Sequence, residues 1–137
     1  MNGVANGVYG GDLPNQINTP WIDFSEQSTI VGWSSFTAKV IRYKVIGNIV
    51  YVYFNIIGTS NSSSTTFTLP ISTKFFQGAV ACYGVDNGAP QIGLISQPIA
   101  PSNSFTANRY TAISNGISSS WTGSGTKQIQ GQFFYEI

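Results

Sequence analysis

From residue 39 onward, apolar and polar positions alternate with the period of a β-strand. Lys39-Val-Ile-Arg-Tyr-Lys-Val-Ile46 and Ile49-Val-Tyr-Val-Tyr-Phe-Asn-Ile-Ile57 are rich in β-branched and aromatic residues. They are separated by Gly47-Asn48, a two-residue loop suited to φ > 0, which predicts a β-hairpin. In its first arm Ile41, Tyr43 and Val45 share one face and Val40, Arg42 and Lys44 the other, so only the first face is fully apolar. The second arm is apolar on both faces, which predicts a central strand covered by an opposite sheet or a neighbouring subunit.

Gly58 to Thr66 is a polar loop, and Phe67-Thr-Leu-Pro70 is a strand end, because Pro70 has no N–H for pairing. Further strands are predicted over 78–83, 91–96, 105–113 and 129–137, each bounded by Gly, Pro, Asn or Ser. In the last, Ile129, Gly131, Phe133, Tyr135 and Ile137 alternate with Gln128, Gln130, Gln132, Phe134 and Glu136, which ties the C-terminus into a sheet. No segment carries a helical period. The expected class is all-β, an antiparallel β-sandwich or jelly roll with an extended N-terminal arm.

The arm is residues 1–20 and the β-sandwich domain residues 21–137. Asn2-Gly-Val-Ala5 is echoed by Asn6-Gly-Val-Tyr9, and Gly10, Gly11, Pro14 and Pro20 follow, so the arm has little apolar periodicity of its own. Its Val4, Val8, Tyr9 and Leu13 are the candidates for anchoring on a particle.

Composition narrows the function. Only 8% of residues are charged, against roughly 25% in ordinary domains; 14% are aromatic and there is no histidine. Such a surface, wetted by neutral hydroxyls and amides, suits contact with copies of itself or with sugars. The net charge is +1 with the basic residues dispersed, so no tract follows a phosphate backbone and nucleic acid is not an expected partner. No stretch reaches the ~20 apolar residues of a membrane span, and the N-terminus lacks the regions of a signal peptide, so neither membrane insertion nor general export is expected. The single Cys82 has no intramolecular partner for a disulfide and reads as a small core residue.

Catalytic chemistry finds little material. Without histidine neither a Ser-His-Asp nor a Cys-His arrangement is possible, and a Cys/His metal site is excluded. The carboxylates are Asp12, Asp23, Glu26, Asp86 and Glu136, of which only Asp23 and Glu26 are close in sequence, and Asp86-Asn-Gly88 reads as a turn. A glycosidase needs two carboxyls about 5 to 10 Å apart across a cleft, which a fold can assemble from distant positions. No Asp-rich calcium loop and no phosphate-cradling glycine motif is present. The expectation is a protein that is no enzyme and carries no cofactor. For sugar binding the candidates are Trp121, in Ser118-Ser-Ser-Trp-Thr-Gly-Ser-Gly125, and Tyr110 beside Arg109. The competing reading folds Trp121 back over the end of the core; Trp21 and Trp33 read as structural.

Trp21-Ile-Asp-Phe24, Ser28-Thr-Ile-Val-Gly-Trp-Ser-Ser-Phe-Thr37, Ile41-Arg-Tyr43, Gly47-Asn-Ile-Val-Tyr-Val52, Ile57-Gly-Thr-Ser-Asn-Ser62, Phe67-Thr-Leu-Pro70 and Gly131-Gln-Phe-Phe-Tyr135 follow one another along the chain. In order and spacing they resemble a small β domain of tailed-bacteriophage fibre, tail and head-decoration proteins. The resemblance spans residues 21–137, is weakest over 71–128, and supplies no catalytic or ligand set. It implies a virion structural or adhesion protein, similar to the trimeric jelly-roll heads of fibres, located on capsid or tail. The chain departs from the fibres in having only a short Gly/Pro arm in place of a shaft, so a compact knob attached directly to the particle is expected. A charge-poor chain avoids burying unpaired charges between copies, and a closed ring covers sheet edges. The expected partners are further copies in a homotrimer, other virion proteins and host-surface glycans. The alternative is a lectin-like carbohydrate-binding module; a glycan-cleaving enzyme is a third reading.

Overall fold

A computed structural model describes residues 17–74, 78–96, 101–110 and 118–137. Their strands are β1 (Ile22–Asp23), β2 (Trp33–Ile46), β3 (Ile49–Ser60), β4 (Thr66–Thr68), β5 (Ala79–Asp86), β6 (Ala89–Ser96), β7 (Ser104–Tyr110), β8 (Ser118–Ser119) and β9 (Thr126–Glu136). Every strand pair is antiparallel. The class is all-β, as the alternation predicts.

The hairpin predicted over 39–57 is the heart of this arrangement. Ile46 pairs with Ile49 across Gly47-Asn48, and Gly47 has φ 59°, the left-handed conformation that such a turn requires. The pairing runs further than the sequence pattern, back to Trp33 and forward to Ser60, through two register shifts that bend β2. The polar loop expected from Gly58 therefore begins only after Ser60. A second two-residue turn, Asn87-Gly88, joins β5 to β6 with both residues at positive φ.

The described strands form one sheet in the order β1-β2-β3-β9-β5-β6-β7-β4, with β8 beside β7. Two separately hydrogen-bonded layers, as a sandwich suggests, are replaced by a single curled sheet. The curl brings its ends together, because Val31, just before β2, exchanges backbone hydrogen bonds of 2.9 and 3.1 Å with Thr66 of β4. Ser28 reinforces this seam by donating its hydroxyl to Thr68 O and accepting from Thr68 N–H.

Inside the curl lie Ile41, Val50, Val52, Phe54, Ile56, Phe67, Leu69, Phe105, Ile129 and Tyr135, all buried. The inward sets of β2, β3 and β9 are those that the period-two pattern groups together. Phe54, Phe67, Phe105, Phe133 and Tyr135 form a continuous ring cluster with centroids 5.0–6.4 Å apart. Cys82 packs against this core, and burial pushes its thiol up to about 12, which keeps it protonated and inert.

Of the expected arm, residues 17–20 already belong to the sheet margin. Asn18 bridges to Ile46, Thr19 N–H donates to Val45 O, and Thr19 Oγ1 accepts from Val45 N–H. The anchoring candidates Val4, Val8, Tyr9 and Leu13 lie outside the described residues.

Gly58 permits the bend in β2, since a Cβ at this position would fall on the backbone carbonyl of Ser35. Gly58→Ala is expected to lower the unfolding free energy by roughly 1–3 kcal/mol, read as a lower denaturant midpoint. A midpoint equal to that of the unmodified chain would mean that the β2 bend is not fixed by this contact.

Candidate functional site

The two surfaces of the sheet have opposite characters. At one end of the inner surface, around the start of β9, sits a compact charged cluster. Lys127 points inward with no exposed area, and its Nζ donates to Gly32 O (3.0 Å), Ser62 O (2.8 Å) and Thr65 Oγ1 (3.0 Å). Two indoles flank the ammonium, with Nζ 5.0 Å from the Trp33 ring centroid and 5.8 Å from that of Trp121. Both indoles are themselves tied down, Trp33 Nε1 donating to Lys127 O and Trp121 Nε1 to Ala107 O.

Asp86 is the register partner of Lys127 across β5 and β9 and is also buried. Its carboxylate accepts from Arg109 Nη1 (2.6 Å), Thr122 N–H (3.0 Å) and Thr122 Oγ1 (3.0 Å). Burial lowers the Lys127 pKa to about 8, against the ordinary 10.5, and the nearby Asp86 charge partly opposes that shift. Every group in the cluster except Arg109 Nε has a partner, so the arrangement reads as a structural lock.

The outer surface is built from the alternate residues of the same strands, and its charges stand at Arg42 and Lys44 of β2 and Glu136 of β9. Register pairs connect Val40, Asn55, Gln130, Tyr83, Ile92 and Tyr110 in one row across six strands. A neighbouring row carries Arg42, Tyr53 and Gln132, with the guanidinium 5.0 Å from the Tyr53 ring centroid. A third carries Lys44, Tyr51 and Phe134, the last two with ring centroids 6.0 Å apart.

Phe134 is 61% exposed. Beside it β9 runs on past its pairing with β5, which ends at Gln130. A groove of about 530 Å³ opens there, lined by Trp21, Tyr51, Val52, Val80, Phe133 and Phe134, with Gln132 at its margin. This groove and the exposed ring of Trp21 are what sequence reasoning missed. The odd member of the last strand, Phe134 among glutamines, was the signal for it.

The sequence candidates for sugar binding do not come together. Trp121 is 3% exposed and covers the end of the core, where its competing reading places it. Arg109 also points inward, onto Asp86, whereas Tyr110 belongs to the outer row. A hollow of about 400 Å³ passes over the edge of Trp121, lined by hydroxyls that include Thr65, Thr66 and Thr106. Trp33 is buried, but Trp21 is half exposed.

The described carboxylates are dispersed in role. Asp23 accepts from the Ser25 hydroxyl and N–H, which hold its carboxyl below the usual range. Glu26 pairs with Lys39 at 2.8 Å, Asp86 with Arg109, and Glu136 accepts from Asn48 Nδ2. Among the described residues no group of three or more Asp, Glu or Cys side chains is placed to hold a metal ion. Asp12 lies outside the described residues. The chain matches no protein-family model, no curated protein and no solved structure.

Two predictions follow from the inner cluster. Lys127→Met removes the charged donor shared by Gly32 O, Ser62 O and Thr65 Oγ1, leaving Gly32 O with Asn61 N–H and Ser62 O with the Ser60 hydroxyl, and is expected to cost roughly 1–3 kcal/mol in an equilibrium melt. An unchanged melt would remove the lock from the folding problem. As for pH, the folded chain releases the Lys127 proton near 8, while the unfolded chain holds it to about 10.5. The stability contributed by this titration is complete above 10.5 and is lost as pH falls through about 8. The Lys127 Cε resonance is therefore expected to titrate near pH 8 in the folded protein; a midpoint in the ordinary lysine range would refute the shift.

Proposed function

We propose that the chain is a bacteriophage virion structural protein, a short fibre or decoration protein that displays this β domain on the capsid or tail and assists host attachment without catalysis. The observation that carries the reading is the contrast between surfaces. The domain buries Lys127 and Asp86, with Arg109 turned onto Asp86, while the middle rows of the outer surface present rings and neutral amides, with Arg42 and Lys44 on β2. An outer surface with few charges has few ions to strip of water, so copies pack against it at low desolvation cost. The groove, with Phe134, Tyr51 and Trp21 in its lining, supplies the aromatic anchors that interfaces use. The order of motifs along residues 21–137 supports the phage assignment, and the finer description of the head as a sandwich or jelly roll belongs to the same reading, with opposite walls of the curl as its layers.

The homotrimer expected from the sequence is part of this proposal, with the groove end of the outer surface at its contact. The alternative is a lectin-like carbohydrate-binding module, favoured by the row of amides and tyrosines through Gln130. Light scattering on the full chain at micromolar concentration is expected to give three times the 14.7 kDa chain mass. Phe134→Lys, at an exposed position, is expected to shift the mass towards one chain with the fold retained by circular dichroism. A monomeric unmodified chain would overturn the assembly reading, and a trimer indifferent to Phe134→Lys would move the contact elsewhere.

A further inference from the structure

We infer that the outer surface binds a neutral glycan along the row Asn55, Gln130, Tyr83 and Tyr110. The inference rests on the attachment half of the proposed function and gives it a site and a ligand class. The row crosses neighbouring strands, so its members are spaced by about 4.8 Å per strand and span about 20 Å from Asn55 to Tyr110, the reach of a short oligosaccharide.

Each element of the row answers a chemical feature of a sugar. Tyr83 is 50% exposed and stands in the middle of the row, where its ring offers an apolar face to the C–H side of a pyranose. Ile92 lies directly beside it and widens the apolar strip towards Tyr110. Gln130 is the register partner of Tyr83, and its carboxamide N–H groups can donate to a sugar hydroxyl. Gln130 Oε1 is held by Gln128 Nε2, which fixes the orientation of the amide and leaves Gln130 Nε2 without a partner among the described residues. On the far side Asn55 Oδ1 is buried with no donor. Such an acceptor is costly to leave unpaired, so rotation of the Asn55 amide towards a ligand hydroxyl is rewarded.

The absence of charge along this row selects a neutral sugar over an acidic one. In the neighbouring row Arg42 is stacked on Tyr53, and Arg109, next to Tyr110 in the chain, is turned inward onto Asp86. The hydroxyl-lined hollow over Trp121 is the rival site, but it offers no exposed ring, and two of its polar groups are already engaged. Thr65 Oγ1 accepts from Lys127, Asn108 Nδ2 donates to Ser96 Oγ, and the Trp121 ring is buried.

The test uses the full chain, labelled with 15N, titrated with maltohexaose, cellohexaose, isomaltohexaose and chitohexaose up to ~5 mM, with a hyaluronan hexasaccharide as the acidic comparison. At least one neutral hexasaccharide is expected to shift the side-chain amide signals of Gln130 and Asn55, and the acidic one to leave them in place. Tyr83→Ala is expected to weaken that binding about tenfold with the melting temperature preserved, because the ring is half exposed. Gln130→Ala is the second variant, and its effect is expected to be of the same order. No shift from any neutral hexasaccharide overturns the inference, as do shifts confined to Thr66, Thr106 and Asn108 or binding unaffected by Tyr83→Ala. The mass measurement fails separately: a trimer that binds none of these sugars retains the assembly reading, and a monomer that binds one retains the glycan site.

Discussion

The fold turns on one buried ammonium. Lys127 lies on a strand paired on both sides, yet its three acceptors come from residues 32, 62 and 65, which flank the seam between Val31 and Thr66. A curled sheet whose ends meet at a single bridge has little to hold that closure by backbone pairing alone. The lysine ties the centre of the sheet to both margins at once. An apolar residue at this position would fill space but leave the Gly32 and Ser62 carbonyls without this donor, so closure and burial of charge are the same constraint.

Once the ammonium is inside, its surroundings follow. A buried cation requires a nearby anion or a dense set of acceptors, and the chain supplies both. Asp86 is brought alongside by register, and its own charge is met by Arg109 and the Thr122 backbone and hydroxyl. Trp33 and Trp121 close over the cluster with their faces to the cation and their N–H groups on carbonyls, leaving the indoles no unpaired donor. A chain with six basic and five acidic residues thereby buries Lys127 and Asp86 and turns Arg109 onto Asp86.

How much of this was legible in the sequence depends on the range of the interaction. The 39–57 hairpin, its Gly47-Asn48 turn and the inward faces of β2 and β9 are local periodicities, and each is present in the structure. The single curled sheet was not legible, because sandwich and curl use the same alternating strands and differ only in which edges meet. Register shifts at Trp33/Ser35 and Phe36/Ala38 carry the information that bends β2, and bulges leave no periodic trace. Lys127 read as one more dispersed cation, since nothing in Thr126-Lys-Gln-Ile129 distinguishes a lysine that points into the core from one in solvent. Only the alternation with Ile129 as an inward residue two positions away could have placed it there.

Trp121 shows why composition alone leaves two readings open at short range. Its Ser and Gly neighbours allow both an exposed ring and one folded over the core, since small flanking residues are equally what a chain needs to turn an indole inward, and the structure takes the second. At Gly84 a Cβ would come 3.0 Å from the Trp121 ring, so β5 is shaped to receive it. The outer residues reverse the inference. Gln128, Gln130 and Gln132 look like bland solvent-facing positions in the last strand, yet register places Asn55 and Tyr83 on either side of Gln130. A row on a sheet surface is therefore written across strands, in pairings that join residues 55, 83, 110 and 130 from distant parts of the chain, and it becomes readable only when the register is known.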